Sequence, residues 1–379
     1  MVIVKSKKRM PDEDASNHHK FGIIITARNE EKVIGQLLDS IYSQNYPEEL
    51  MSVYVVADNC VDNTAEIAQS KGARVFERND LTKIGKGYAL HFLFDKILKD
   101  DNCDAYIVFD ADNLVSPNFL TEINKTYSKG YRIVLGYRNS KNYATNWISA
   151  GYSLWFLRDS EYLNHPRMRM STSCLIAGTG FLICRTILDE SAGWNYFSLT
   201  EDVEFTANMI IKGEKMGYCS DAVFYDEQPV DFRQSWTQRV RWTRGYYQVA
   251  LKHGGELVKG ALIKRNFACF DMLMSIFPMF VIIFAYFACT LTGVFSILHL
   301  VLFLAFVYLV LFILGLLPTI TEWKNIDATA SQKILYALTF PTFVFTFIPI
   351  AGVALFNRSE WVPVKHDVGK KIEDMKNFI

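Results

Sequence analysis

Short hydrophobic runs alternate with amphipathic stretches along the chain from Phe21 onward. Uninterrupted apolar runs of four to six residues are typical of strands that are buried on both faces, as in parallel sheets. Asn29 is predicted to cap a helix after the first run, with Glu30 and Glu31 in its first turn, where the helix dipole favours acids. Strands alternating with helices indicate an α/β domain with a mostly parallel sheet. The predicted strands are 21–26, 53–57, 106–109 and 132–136.

Long uncharged stretches follow Asn266. Between Phe267 and Thr321 the only formally charged residue is Asp271. Such a stretch can hold two helices of about 20 residues, the length that crosses a bilayer. Their apolar residues cover every face, which favours membrane helices over a buried helix pair in a soluble protein. The predicted spans are 268–290 and 295–317, joined by a turn at 290–293.

A third uncharged run extends from Ile334 to Phe356 and contains Pro341 and Pro349. Proline interrupts helices, so this run is either a third span or a re-entrant segment. The polar segment 318–333 before it is predicted to lie at the membrane interface. Three full spans would place the C-terminus outside the cell, whereas the basic residues near the C-terminus favour the cytosolic side. Both topologies stay open.

Charge and cysteine usage narrow the class of protein. Forty basic and forty acidic residues give a net charge of zero, so no nucleic-acid partner is expected. Seven cysteines without a C-x-x-C pair indicate reduced thiols in the cytosol. The basic start of the chain is not followed by an apolar run, so neither a signal peptide nor an N-terminal anchor is expected.

These patterns divide the chain into five segments. The predicted order is a flexible tail (1–19), a cytosolic catalytic domain (20–231), interfacial helices (232–265), a transmembrane region (266–357) and a C-terminal segment (358–379).

Carboxylates follow two of the predicted strands. Ligands in parallel sheets bind at the carboxyl ends of strands. Asp58 stands at such an end, either in a helix-capping turn or as an acceptor for a uracil or ribose, with Thr26 lining the same pocket. Asp110 and Asp112 point to one side of an extended segment and could hold Mg²⁺ or Mn²⁺ together with a diphosphate, although many such pairs are solvated turns.

Two further motifs carry candidate chemistry. Thr200-Glu201-Asp202 precedes an amphipathic stretch, so it is either an N-cap with two acids or the site of a general base at Asp202. In Gln238-Arg239-Val240-Arg241-Trp242, Arg241 could bind a pyrophosphate and Trp242 could stack on a sugar. Gln238 could bond an acceptor hydroxyl. The alternative for this motif is a surface helix with an apolar stripe, or an interfacial helix.

With these motifs the chain resembles the membrane-embedded, processive glycosyltransferases of family 2, the group of cellulose, mixed-linkage glucan, chitin and hyaluronan synthases. The resemblance covers 21–242 by motif and the rest by layout. It implies a GT-A-like, Rossmann-type nucleotide-sugar domain, followed by interfacial amphipathic helices and a small bundle of transmembrane helices. Q-x-x-R-W is the motif of the polymerising branch.

The resemblance assigns roles to particular residues. It implies Asp202 as base, with Glu201 and Arg241 as further catalytic residues, and metal binding by Asp110 and Asp112. It implies an acceptor site at Gly178, Thr179, Gly180 and Trp242, and a gate at Trp361 over the donor. The implied donor-binding residues are Thr26, Arg28, Glu30, Asp58, Lys86, Asp110, Gln238 and Arg241.

The resemblance implies an inverting enzyme that takes sugars from a UDP-sugar and polymerises them into a β-glucan, which is translocated across the membrane. UDP-glucose is the donor expected first. The alternatives are a chitin-, poly-N-acetylglucosamine- or hyaluronan-type synthase, a non-processive enzyme that glycosylates a lipid, and a transporter or receptor with a nucleotide-sensing domain. The implied partners are the donor, a growing polysaccharide, the lipid bilayer, and a further copy of the chain or an accessory secretion protein. The implied location is the cell membrane, multi-pass, with a cytosolic catalytic domain.

Two departures from the pattern stand out. Larger relatives carry helices before the catalytic domain, which are not seen here, and Asn59 replaces the second acid found after the second strand in many of them.

Overall fold

A computed structural model describes residues 18–277, 297–356, 366 and 368–375, together with the isolated positions 285, 288–289 and 292–293. The chain forms two compact units. The first contains the described residues of 1–141, 160–227 and 365–379, and the second contains those of 142–159 and 228–364. The predicted gate residue Trp361 lies outside the described residues.

The first unit is built on an eight-stranded sheet in the order β3-β2-β1-β4-β7-β6-β8-β5. All four predicted strands are confirmed as β1, β2, β4 and β6, and each extends beyond its predicted C-terminal end, although β6 begins one residue later than predicted. The remaining four are strands that the hydrophobic pattern did not single out. The strands are β1 Phe21–Ala27, β2 Met51–Asp58, β3 Arg74–Arg78, β4 Ala105–Asp110, β5 Leu114–Val115, β6 Ile133–Ser140, β7 Phe181–Cys184 and β8 Met216–Asp226.

The expectation of a mostly parallel sheet is correct for one half only, because the sheet is mixed. β3, β2, β1 and β4 are parallel neighbours, and β6 is parallel to β8. β7 runs antiparallel to both β4 and β6, and β5 antiparallel to β8. The chain enters β7 at the carboxyl edge of β4, where Val108 pairs with Phe181, instead of returning through a crossover helix. A strand that starts at this edge can only run antiparallel to β4.

Helices cover the faces of this sheet and bury an aliphatic core that includes Ile23, Val55 and Ile107. In this unit they are α1 Ile34–Tyr42, α2 Thr64–Ser70, α3 Lys86–Ile97, α4 Phe119–Ser128, α6 His165–Arg169, α7 Arg185–Glu190 and α8 Glu201–Lys212. Short 3₁₀ turns lie at Glu48–Leu50 and Ile372–Asp374, and the π-helical turn Asp159–Asn164 directly precedes α6.

The predicted cap at Asn29 is wrong. Asn29 has a positive φ of 58° and its side-chain oxygen accepts a hydrogen bond from the amide of Val61. The amide of Glu30 donates to Thr64 instead, so the chain stays in a loop until α1 begins at Ile34. Asparagine tolerates the left-handed region, which explains why this position ends a strand loop instead of starting a helix.

The second unit is helical. Its helices are α5 Trp147–Arg158, α9 Phe232–Leu262, α10 Phe267–Ile276, α11 Ile297–Thr321, α12 Ala330–Phe345 and α13 Phe347–Phe356. Val240 and Tyr247 of α9 pack against Ile350 and Ala354 of α13. Arg239 is fully buried, and its guanidinium lies 4.7 Å from the ring of Phe343 and 4.9 Å from that of Phe347. Arg239 therefore stabilises the junction of α12 and α13 through cation–π contacts.

Two helical segments among the described residues, Val301–Thr321 and Ala330–Phe356, are long and apolar enough to cross a membrane. The second predicted span continues four residues beyond 317, with Pro318 inside the helix. The break in the third run lies at Thr346, while Pro341 is inside α12. Of the first predicted span the structure describes α10, and most of the remainder lies outside the described residues.

Gly87 and Gly35 provide a matched test of the packing of α3, because each is the second residue of its helix. A Cβ atom at Gly87 would lie 2.1 Å from the carbonyl oxygen of Tyr196, whereas one at Gly35 would meet only ordinary contacts at 3.7 Å. Gly87→Ala should lower the free energy of unfolding by about 1–3 kcal/mol. Gly35→Ala should leave it unchanged or raise it by up to about 1 kcal/mol. Thermal melting of both variants checks this, and equal melting temperatures would contradict the close packing at Gly87.

Candidate active site

Three polar residues lie at the carboxyl edge of the parallel strands. Asp58 ends β2 and Asp110 ends β4, and Thr26 of β1 is in register with Asp110 on one side and Val56 on the other. β1 lies between the other two strands, so the pairing itself brings these residues to one edge. This is the edge at which ligands of open α/β sheets bind.

Lys86, the first residue of α3, joins the end of β4 to a neighbouring loop. Its ammonium, on a side chain that is only 14% exposed, donates a hydrogen bond to the carbonyl oxygen of Gly178 (2.8 Å) and forms an ion pair with Asp110. Burial by itself lowers the pKa of Lys86, but the negative charges of Asp110, Glu201 and Asp202 outweigh burial and raise it above its ordinary value. Lys86 is therefore a fixed cation among carboxylates.

Asp202 faces the same loop from the first turn of α8. One of its carboxylate oxygens lies 3.6 Å from the point that a Cβ atom of Gly178 would occupy. Thr200 holds the N-cap position, as expected, but its side chain makes no capping hydrogen bond. The negative charge of Asp202 is stabilised by the positive end of the α8 dipole, because Asp202 lies in the first turn of the helix together with Glu201.

The loop itself is locked onto β4. The amide of Asp110 donates to the hydroxyl of Thr179 (2.9 Å), and the amide of Gly180 donates to the carbonyl of Val108 (2.8 Å). Gly178 and Gly180 have positive φ angles of 81° and 66°, which glycine adopts without strain. The structure thus brings Lys86, Asp110, Asp202 and the segment 178–180 together in the first unit.

Asp112 lies deeper than Asp110, beside residues far away in the sequence. Its carboxylate accepts a hydrogen bond from the amide of Glu227 (3.3 Å) and lies 3.7 Å from Nε2 of His366. Burial raises the pKa of Asp112 well above its ordinary value, although the charge of His366 opposes this rise.

His366 also contacts Glu30, with 2.9 Å from Nδ1 to the nearer carboxylate oxygen. Burial lowers the pKa of His366, but Asp112 and Glu30 outweigh burial and raise the pKa to about 10. The imidazole is therefore a cation between two carboxylates. The sequence offered one indication of this contact, the segment from Trp361 to His366, but the predicted residue was Trp361.

Of the predicted C-terminal segment (358–379), the structure describes residues 366 and 368–375. From here on these residues are called the C-terminal segment, and further contacts hold them within the first unit. The amide of Val368 donates to the carboxylate of Glu227, 3.2 Å from its nearer oxygen, and the ammonium of Lys370 donates to the carbonyl of Lys141 (2.7 Å). Ile372 and Met375 are buried with Leu114 of β5 and Tyr225 of β8. Sequence reasoning did not predict this docking.

Asp58 is buried at the end of β2 and is already paired. The guanidinium of Arg78 contacts its carboxylate and also donates to the carbonyl of Lys83 (2.7 Å). Burial raises the pKa of Asp58, while the positive charges of Arg78 and Arg28 oppose the rise. Arg78 is a residue of this pocket that sequence reasoning missed, and it aligns the loop after β3 with the end of β2.

Gln238, Arg241 and Trp242 form a group of their own on α9 in the second unit. They are spaced i, i+3 and i+4 and therefore share one face of the helix. The indole of Trp242 packs edge-on against the rings of Tyr152 and Phe156, at centroid distances of 5.7 and 6.3 Å. An aromatic cluster of α5 thus supports this part of the Q-x-x-R-W motif.

The residues present fit a divalent cation. Within the described part of the chain, no group of three or more His, Cys, Asp or Glu residues is arranged to hold a metal ion. Asp110 and Asp112 do provide hard carboxylate oxygens, the ligands that Mg²⁺ and Mn²⁺ prefer. Two carboxylates suffice where phosphate oxygens supply the other ligands.

Residues 18–245, more than half of the chain, match the family described as "Glycosyltransferase like family 2". The chain belongs to this family and is a glycosyltransferase. A probable glycosyltransferase of Bacillus subtilis is 27% identical over 93% of this chain and 84% of its own length. A β-monoglucosyldiacylglycerol synthase of Synechocystis is 28% identical, over 60% of this chain and 47% of its own length.

Among solved structures, a mannosyltransferase from Pyrobaculum calidifontis in complex with GDP-Man and Mn²⁺ is similar, with a TM-score of 0.55. It is 14% identical, and the match covers 94% of this chain and 93% of that one. This similarity supports the GT-A-like α/β fold that the resemblance implied, with an open mixed sheet in place of the mostly parallel one that was expected.

Ile372 and Val61 provide a matched test of the docking of the C-terminal segment. Ile372→Ala removes a buried side chain, which costs about 2–5 kcal/mol in a packed core. Because the loss falls on this segment, the amide of Val368 should exchange with deuterium more than about tenfold faster. Val61→Ala, at a side chain that is 91% exposed, should change nothing. Unchanged exchange in Ile372→Ala would show that the hydrogen bonds alone hold the segment.

Proposed function

We propose that the protein transfers a hexose from a UDP-sugar, best UDP-glucose, to a hydroxyl group of a membrane-held acceptor, with inversion at the anomeric carbon. The observation that carries this proposal is the convergence of Lys86, Asp110 and Asp202 around Gly178. The carboxylate of Asp202, which can accept a proton, lies beside Lys86, whose positive charge suits a diphosphate. A hydroxyl of a sugar or lipid that loses its proton to Asp202 could therefore displace the nucleotide directly.

In this proposal Asp202 is the general base. Glu201, in the same turn of α8, contributes a second negative charge that helps to keep Lys86 protonated. Asp202 accepts the proton of the attacking hydroxyl while the bond between the anomeric carbon and the diphosphate breaks. Attack from the face opposite to the leaving group turns an α-linked donor into a β-linked product. The absence of a side chain at Gly178 leaves space beside the carboxylate for the hydroxyl.

The donor would occupy the edge formed by β1, β2 and β4. Asp58 would receive the uracil or ribose, next to Thr26, Arg28 and Glu30. Lys86 would exchange its contact with Asp110 for the diphosphate. Asp110 and Asp112 would hold Mg²⁺ or Mn²⁺, which supplies positive charge for the departing nucleotide. Gln238 and Arg241 are proposed as further donor contacts, and Trp242 as an acceptor contact together with the segment 178–180.

Two acceptors are supported by separate observations. The Q-x-x-R-W motif at 238–242 favours a growing β-glycan, as in processive family 2 synthases. The similarity to a β-monoglucosyldiacylglycerol synthase favours a lipid hydroxyl. In either case the two apolar segments would hold the enzyme at the membrane, with its catalytic unit in the cytosol where UDP-sugars are made.

The experiment that tests the function uses the purified full chain in lipid vesicles with Mg²⁺ or Mn²⁺. Individual radiolabelled UDP-sugars are supplied, and UDP release, product size and linkage are measured. Release of UDP with a β-linked product supports the proposal. A ladder of products indicates polymerisation, whereas a single labelled lipid indicates one transfer. No UDP release from any UDP-sugar would contradict the proposal.

Asp202→Asn should lower the rate of transfer about 100-fold or more, because an amide keeps the shape of the side chain but cannot accept the proton. Binding of UDP, measured by calorimetry, should stay within about twofold, since the base does not hold the nucleotide. Asp189→Asn, at a side chain that is 51% exposed on α7, is the control and should behave as the wild type. Transfer at the wild-type rate by Asp202→Asn would remove Asp202 as the base.

Removal of divalent cations with EDTA should abolish transfer, and Mg²⁺ or Mn²⁺ should restore it. Asp112→Asn should bind Mn²⁺ in the presence of UDP at least about tenfold more weakly, because a hard cation loses a charged oxygen ligand. Paramagnetic resonance of free Mn²⁺ measures this independently of activity, and Asp95→Asn on the exposed side of α3 is the control. Full transfer in EDTA would contradict the metal site.

A further inference from the structure

A buried asparagine directly follows the two candidate metal ligands, and the proposed chemistry does not use it. Asn113 is completely buried, and Asp112 is 3% exposed. Residues 110–113 form a hydrogen-bonded turn and not the extended segment that the sequence suggested, because the backbone amide of Asn113 donates to the carbonyl of Asp110 (3.1 Å). We call residues 110–113 the acidic turn.

The side chain of Asn113 closes the acidic turn a second time. Its Oδ1 accepts hydrogen bonds from the backbone amide of Asp110 (3.2 Å) and from the hydroxyl of Thr179. Its Nδ2 donates to the carboxylates of Asp226 (3.0 Å) and Asp112 (3.4 Å). An asparagine side chain offers two donor hydrogens and two acceptor lone pairs, so all its hydrogen-bonding capacity is used. A buried polar network that is fully satisfied is rigid.

The acceptor Asp226 is itself fixed to the sheet. It is the last residue of β8 and 4% exposed, and the guanidinium of Arg138 on β6 contacts its carboxylate with Nε at 2.9 Å and with a second nitrogen. The same guanidinium donates to the carbonyl of Ala177 (2.8 Å), in the loop before β7. The charge of Asp226 is thereby compensated inside the protein. Asn113 is thus attached, through Asp226, to two strands of the sheet.

The two carboxylates of the acidic turn must face one cation at the same time. Side chains that bind a metal are usually oriented by further hydrogen bonds, and loss of such a partner weakens metal binding about 10–100-fold. Asn113 supplies this support at both ligands, through the backbone of Asp110 and the carboxylate of Asp112. The other carboxylate oxygen of Asp112 accepts from the backbone amide of Glu227 (3.3 Å), so this side chain is held from two sides.

We propose that Asn113 is a positioning residue for the divalent cation, which it does not touch. It keeps the carboxylates of Asp110 and Asp112 in the arrangement that binds the cation. This inference rests on the proposed function, because it concerns the same cation site. A neutral amide suits the role, since an aspartate at position 113 would present an oxygen to Asp112 and Asp226 where a donor is required.

The test measures the binding of Mn²⁺ to the full chain in detergent micelles with UDP, by the paramagnetic resonance of free Mn²⁺. A sample without protein corrects for the Mn²⁺ that UDP alone holds. Asn113→Ala should bind Mn²⁺ at least about tenfold more weakly than the wild type. Asn113→Leu, which keeps most of the side-chain volume, should lose as much affinity, and it takes the place of Asn113→Ala if that variant does not fold.

Asn124→Ala is the matched control. Asn124 lies on α4 and is 1% exposed, and its side-chain oxygen accepts a hydrogen bond from the backbone amide of His19 (3.2 Å). His19 precedes β1, whereas the acidic turn follows the opposite end of the parallel strand β4. Asn124→Ala should lower the melting temperature as Asn113→Ala does, since both remove a buried amide. Its affinity for Mn²⁺ should stay within about twofold of the wild type.

A double variant shows whether Asn113 acts through Asp112. Losses at independent sites multiply in the dissociation constant, whereas losses that pass through one ligand do not. Asn113→Ala combined with Asp112→Asn should therefore bind Mn²⁺ within about threefold of Asp112→Asn alone. In transfer assays, Asn113→Ala should need about tenfold more Mn²⁺ for half of its maximal rate, while kcat at saturating Mn²⁺ stays within about threefold of the wild type.

Three results would overturn the inference. A folded Asn113 variant could bind Mn²⁺ as the wild type does, Asn124→Ala could weaken Mn²⁺ binding equally, or the losses of Asn113→Ala and Asp112→Asn could multiply. Release of UDP by the wild type is measured in parallel. Its absence from every UDP-sugar would contradict the proposed function, while the affinities for Mn²⁺ would still decide the role of Asn113. Release of UDP together with unchanged Mn²⁺ binding in the Asn113 variants would contradict the inference alone.

Discussion

The contacts of a single, largely enclosed ammonium, that of Lys86, are the interactions on which the arrangement of the site depends. Asp110, Glu201 and Asp202 come from two different elements, and their negative charges would repel one another if no cation stood among them. Lys86 also bonds the carbonyl of Gly178, so one side chain connects α3, β4, α8 and the loop before β7. A buried cation with several partners is held strongly, because losing one partner leaves charge uncompensated.

A second group, at the deeper end of the site, also contains a cation that lies between carboxylates from different parts of the chain. Asp112 and Glu30 share His366, while Glu227 contacts both the ammonium of Lys141, at 3.5 Å, and the amide of Val368. Both groups contain more acidic than basic side chains, and this excess of negative charge suits the divalent cation proposed for the site. The C-terminal segment supplies the histidine, so this segment helps to balance the site and does not merely follow the helical unit.

The strands that could be predicted from the sequence are those that a short run of neighbouring residues identifies by itself. The apolar runs that became β1, β2, β4 and β6 are buried on both faces, so their composition identifies them directly. β3 is an edge strand with exposed Arg74 and Glu77, and β8 carries an irregularity in its pairing with β6, so neither shows a clear period. The motif acids could be located because they follow strands, whereas their partners could not. Glu30 and His366 are 336 positions apart, and only the folded chain brings them into contact.

Gly178 connects the charge balance to the geometry of transfer. Its carbonyl is engaged by Lys86, its φ of 81° is one that other residues rarely adopt, and its α-carbon faces the carboxylate of Asp202. A side chain here would be strained and would fill the space next to Asp202. The loop can therefore stay rigid while leaving that space open, because the backbone and not a side chain makes the contact with Lys86. A proposed base beside an open space that rigid backbone keeps clear is an arrangement that can hold an attacking hydroxyl in place.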